Sequence, residues 1–129
     1  MASLRCCRYG AARRAVGFYK AAFGARELFT VEDSDGAVVA QLGIESATFW
    51  VADESPPHQN FSPERLGGAT TRLILVVGDS TSGHAQALAA GASQVWPVQE
   101  EHGWLVGRVV DPYGHHREIG KPLEQGGGE

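Results

Sequence analysis

The residues best suited to chemistry lie near the C-terminal end, in Gly107-Arg108-Val109-Val110-Asp111-Pro112-Tyr113-Gly114-His115-His116-Arg117-Glu118-Ile119. Asp111-Pro112-Tyr113-Gly114 is turn chemistry. The Asp bonds its own backbone, the Pro presets φ, and the Gly closes the turn. Extended chain flanks it on both sides. Alternation along the second strand puts His116 and Glu118 on one face and Arg117 and Ile119 on the other. An imidazole and a carboxylate supply two metal donors, where a site needs three or four. Without a metal, a carboxylate in mid-strand needs another partner. What faces Glu118 is therefore the functional question. His58, His84 and His102 fall in a loop, a helix and a hairpin turn, and read as solvated surface. Cys6 and Cys7 are adjacent, so a bridge between them would be strained. They read as free thiols of a reducing compartment, with no activating neighbour marked.

The elements that must position these groups follow from the pattern. The chain has 129 residues, 43% hydrophobic and 20% charged, and a net charge of −4. That is enough for one domain burying about two-thirds of its unfolded surface. No global positive field favours nucleic acid. No apolar run reaches the ~20 residues of a membrane span, and the start lacks the apolar core of a signal peptide. The expected location is cytoplasmic.

A strand is expected over residues 3–9. A helix follows over 11–23, where Val16, Tyr19 and Phe23, with Phe18 and Ala22, form one apolar stripe and Gly24 is the stop. Strands are expected over 26–32, 37–42 and 47–52, with Asp35-Gly36 as a hairpin turn. Residues 54–69, with three prolines and Gly67-Gly68, read as a linker or lid. A strand over 70–77 comes next, then a helix ending at Ala90, with Ala85, Leu88 and Ala89 inward. Strands over 93–98, 104–110 and 115–119 complete the order. Leu123 to Glu129 should be a mobile tail. Gly24 and Gly91 differ by 67 positions, and so do Gly36 and Gly103. One offset linking two helix stops and two turns indicates a duplicated β-α-β-β-β unit, with module one at 3–53 and module two at 70–120.

Several segments resemble the vicinal oxygen chelate superfamily, the glyoxalase/bleomycin-resistance/dioxygenase fold. They are Ala15-Val16-Gly17-Phe18-Tyr19-Lys20-Ala21-Ala22-Phe23-Gly24-Ala25, Val77-Gly78-Asp79, Ala89-Ala90-Gly91-Ala92 and Asp111-Pro112-Tyr113-Gly114. The resemblance spans roughly residues 4–120. It implies an α+β fold in which two paired β-α-β-β-β modules form a curled, cup-like mixed sheet, within a single domain over 1–122. It also implies a two-fold homodimer. In many members the cup holds a divalent metal, and in others it holds an apolar drug without one.

Carried onto this chain, the family's four ligand positions fall at Leu4 (or Arg5), Trp50 (or Val51), Arg72 and Glu118. Only Glu118 is ligand-like, with His116 beside it as the other possible donor. Leu and Trp offer a cation nothing, and Arg repels one. Arg72 and Glu118 instead suit a charge-assisted pair on the cup floor. The expectation is metal-independent binding of a small, largely apolar or aromatic molecule, as in drug-sequestering resistance proteins, with no cofactor. Phe49, Trp50 and Trp104 are expected as walls and Phe61 as a lid contact, with Arg72, His116 and Glu118 as the polar floor. The alternatives are a metal-dependent lyase, isomerase or dioxygenase using Glu118 and His116, and a dimer without a dedicated ligand.

Overall fold

A computed structural model describes residues 6–124. The first module runs β1 (Cys6–Tyr9), α1 (Ala12–Phe23), β2 (Arg26–Glu32), β3 (Val38–Ile44) and β4 (Ala47–Asp53). A connecting segment carries a 3-10 turn (Pro56–His58) and the short helix α2 (Pro63–Leu66). The second module runs β5 (Arg72–Val76), α3 (Ser80–Ala90), β6 (Ser93–Glu101), β7 (Trp104–Val110) and β8 (His116–Pro122). Each module forms a four-stranded mixed sheet. The orders are β1-β4-β3-β2 and β5-β8-β7-β6, and the first and last strands of each module pair in parallel. The same topology occurs twice, as the 67-residue offset requires.

Each sheet buries one face against its helix and leaves the other open. In β3 and β4, Val38, Ala40, Leu42, Phe49 and Val51 are buried and meet the buried stripe Ala12, Ala15, Val16, Phe18, Tyr19 and Ala22 of α1. The open face carries the alternate residues. Phe29, Val31 and Val39 of module one and Ile74 and Val76 of module two are exposed there. The helices α1 and α3 pack on each other and join the modules.

Helix α3 differs from its sequence reading. Its buried face is Ser80, His84 and Ala87, while Ala85 and Ala89 are exposed. Small residues on every side leave the helical period without contrast, so the apolar stripe is ambiguous. His84, read from the sequence as solvated, is buried. It lies over Gly107, where a Cβ would fall 2.7 Å from the imidazole Cδ2. The glycine in β7 makes the room. Strands β6 and β8 run three residues past their expected ends, and the paired hairpin carries them on. Leu123 donates its backbone N–H to Gly103. Residues 125–129 of the expected tail lie outside the described residues.

A buried ionic cluster ties the modules together. Arg117 of β8 is 3% exposed, and its Nη2 donates to the hydroxyls of Tyr19 (2.7 Å) and Tyr9 (3.2 Å). Tyr19 donates its proton to Asp111, so Tyr9 donates to Tyr19 across 2.7 Å. Asp111 Oδ1 takes the backbone N–H groups of Tyr113 and His115. This is the turn bonding foreseen for an Asp before Pro. Burial, opposed by the Arg117 charge and reinforced by Asp111, holds the Tyr19 hydroxyl well above the usual tyrosine range. It therefore stays a donor. Removing one member strands the others away from water. Arg117→Met is expected to cost about 3–5 kcal/mol and Tyr19→Phe about 1–3 kcal/mol, read from urea-unfolding midpoints at constant m. Losses below about 0.5 kcal/mol in both would contradict a structural role for the cluster.

Candidate functional site

Strand alternation gathers the polar chemistry on the open face of sheet two. Arg72 and Ile74 of β5 pair with His116 and Glu118 of β8, and Glu118 pairs in turn with Arg108 of β7. Arg72 Nε donates to Glu118 Oε2 at 2.6 Å. The partner expected for Glu118 is therefore in place. The pair is not buried, however, since the Arg72 side chain is 50% exposed and that of Glu118 14%. Arg108 Nε donates to His116 Nδ1 at 3.1 Å, and its guanidinium lies 5.0 Å from the Trp96 ring centre. Burial and the Arg108 charge hold His116 below the ordinary imidazole value. It sits neutral, with Nδ1 accepting. Trp104, half-buried, shares this face by alternation with Val106 and Arg108.

Module one contributes less of what the sequence assigned to it. Phe49 faces the helix, 7% exposed, with its ring 5.6 Å from Tyr19. Adjacent strand residues point opposite ways, so Phe49 and Trp50 cannot both line one cup. Trp50 takes the open face, edge-on to Phe29 at 6.1 Å. Leu4 lies outside the described residues.

A cavity of about 540 Å³ opens where the β1 and β5 strands approach under the connecting segment. Phe61, Pro63 and Leu66 cover it, and Cys6, Arg8, Arg72, His115 and Arg117 line it. Phe61 and Arg72, expected as lid and floor, do meet one cavity. Trp50, Trp104, His116 and Glu118 are not among its lining residues. The cover is a built structure rather than a loose loop. Glu54 accepts from Arg65 Nη2 (2.8 Å) and from the Ser62 N–H (3.1 Å). Those bonds, led by Arg65, hold its carboxyl down at about 2. Pro63 rests on Gly114, where a Cβ would fall 2.9 Å from the proline Cβ.

As donors for a divalent cation these residues fit poorly. Glu118 is engaged by Arg72, the Nδ1 of His116 accepts from Arg108, and two guanidinium groups flank both. Among the described residues, no three His, Cys, Asp or Glu side chains converge. His115, Arg117 and Asp111 carried more weight than sequence reasoning gave them. The signal was there in the turn motif itself, which fixes what stands beside it.

No family model matches the chain. The uncharacterized protein Rv0887c of Mycobacterium tuberculosis is 34% identical over 119 residues, covering 88% of this chain and 70% of that one. TioX from Micromonospora sp. ML1 is 27% identical with a TM-score of 0.71, over 95% of this chain and 100% of that one. A glyoxalase/bleomycin resistance protein/dioxygenase family enzyme from Burkholderia phytofirmans superimposes with a TM-score of 0.73 at 17% identity, over 94% and 98% of the two chains. The fosfomycin resistance protein FosX of Listeria monocytogenes, solved with Mn(II) and sulfate, shares the fold at 11% identity and a TM-score of 0.71, over 95% and 93%. With the duplicated module and its two mixed sheets, these give the chain the fold of the glyoxalase/bleomycin resistance/dioxygenase proteins. No helix among the described residues is long and apolar enough to cross a membrane.

Two outcomes test the geometry. An exposed ion pair contributes about 0.2–1 kcal/mol, so a double-mutant cycle of Arg72→Leu and Glu118→Leu should give a coupling in that range. A coupling above about 3 kcal/mol would mean a dry pair. His115 is the second case. Its Nε2–H donates to the Arg8 carbonyl at 2.8 Å. Burial pushes its pKa below 6.5, only partly offset by that bond. The unfolded imidazole therefore takes up its proton first as pH falls. Its contribution to stability is full above pH 6.5 and is lost on acidification, before the carboxylates titrate. Unfolding free energy should decline between pH 6.5 and 5, and less steeply in His115→Gln. An equal slope in both proteins would refute the assignment.

Proposed function

We propose that the protein binds a small, largely apolar or aromatic molecule without a resident metal. The reading rests on one observation. Arg72, at a position where the family resemblance implies a metal ligand, takes the Glu118 carboxylate at 2.6 Å. A cavity of about 540 Å³ lies within the 300–1,000 Å³ range usual for small-molecule sites. Its cover presents Phe61, 40% exposed, and Leu66, 66% exposed. Large apolar side chains held at a surface by a latched segment suit a ligand contact.

A second copy of the chain completes this reading. The open faces expose Phe29, Val31 and Val39 in one module and Ile74 and Val76 in the other, an apolar surface of the kind that association covers. The proposed homodimer buries upward of roughly 1,200 Å². Light scattering at micromolar concentration should give twice the chain mass, and a monomer mass would contradict it.

The functional test is a ligand screen with and without metal. A panel of aromatic compounds screened by thermal shift should yield binders whose affinity is unchanged, within about two-fold, after exhaustive chelation and dialysis. Binding that disappears with chelation and returns with Mn(II) or Zn(II) would replace this reading by a metal-dependent one.

A further inference from the structure

We infer that the cavity between β1 and β5 is an anion-recognition site, and that the molecule it takes is an organic anion with a flat apolar body. The inference rests on the binding reading above and adds the charge class of the ligand. Three arginines are among the residues that line the cavity, Arg8, Arg72 and the buried Arg117, together with His115. Among the described residues, no Asp or Glu lines it. Asp111 and Glu118 stand behind the wall, each engaged with one of the arginines.

The donors differ in what they have left to give. Arg117 is committed to Tyr9, Tyr19 and Cys7, and it supplies field rather than contacts. Arg72 uses Nε for Glu118, and among the described residues its two Nη groups have no acceptor. Arg8 uses Nη1 for the Asp53 carbonyl and also reaches the Cys6 thiol beside it, and no carboxylate engages it among the described residues. These two arginines come from different modules, Arg8 from β1 and Arg72 from β5. Guanidinium donors match carboxylate and phosphate oxygens in geometry, and a charged bond is worth more than a neutral one. Phe61, Leu66 and Leu73 supply the apolar wall for the rest of the molecule.

The neutral state of His115 agrees with this polarity. Burial disfavours its proton and the Arg117 charge opposes it, while the Arg8 carbonyl, Asp111 and Glu64 favour it. Glu118 and Asp111 already pair with Arg72 and Arg117, which leaves Arg8 as the lining arginine with no carboxylate partner among the described residues, and an anion is the ligand that its charge favours.

The test uses matched probes on the intact protein: 2-naphthoate, 2-naphthyl phosphate and the neutral 2-naphthamide, titrated by calorimetry at low and moderate salt. The anions should bind at least ten-fold tighter than the amide. That preference should shrink in Arg8→Gln, in the paired change Arg72→Gln with Glu118→Gln, and at higher salt. The exposed control Arg13→Gln, remote from the cavity, should leave it unchanged. Carboxylate against phosphate decides which anion the two arginines fit. If all three probes bind equally, the anion assignment is wrong while apolar binding stands. If none binds, both fall. A preference for anions that survives in the Arg8 and Arg72 variants would place the site elsewhere and overturn the inference.

Discussion

The buried guanidinium of Arg117 is the constraint from which the arrangement of the two modules follows. It reaches from the last strand of module two to Tyr9 on the first strand and Tyr19 on the first helix of module one. Asp111, in the turn before that last strand, closes the circuit through Tyr19. A buried charge cannot be left unpaired, so the cluster forms whole or not at all. It ties β8 of module two to β1 and α1 of module one, and Cys7 and Arg117, which meet at this junction, also line the cavity. The apolar packing of α1 on its sheet supplies most of the burial. The cluster supplies the registration between two units that could otherwise slide.

Much of this fold was legible before any coordinates. The strand over 26–32 and the strand over 104–110 fall where their patterns place them. The two glycine pairs at one offset show the duplication without reference to any relative. Elements with high contrast read well, such as α1 with its aromatic stripe. Helix α3 read less well because alanine and serine on all sides give it no preferred face. His84 was misplaced for a related reason. Its burial depends on Gly107, 23 positions away, and nothing local announces that a glycine will leave room for a ring.

The site was legible in part, and the division is physical. Pairs on one strand or adjacent strands follow from alternation and register. Alternation placed His116 on the face of Glu118, whereas Arg72 was matched to Glu118 only through the family resemblance. Whether the pair is dry or wet depends on how the sheets curl and what covers them, which alternation does not describe. Arg72 proves half exposed. Phe49 was assigned to the cup because aromatics attract that reading, although its neighbour Trp50 already occupied the open face. The cationic lining of the cavity combines residues from β1, β5 and β8, and no single segment carries that signal.

Arg72 stands where the family resemblance implies a metal ligand, and it engages the Glu118 carboxylate at 2.6 Å. Positive charge there opposes a cation twice, by repulsion and by occupying the donor. Elemental analysis of protein purified without chelator tests this most directly. The account predicts well below about 0.1 equivalent of Mn, Fe, Ni or Zn per chain, whereas about one equivalent, retained through dialysis and lost with Glu118→Ala, would contradict it.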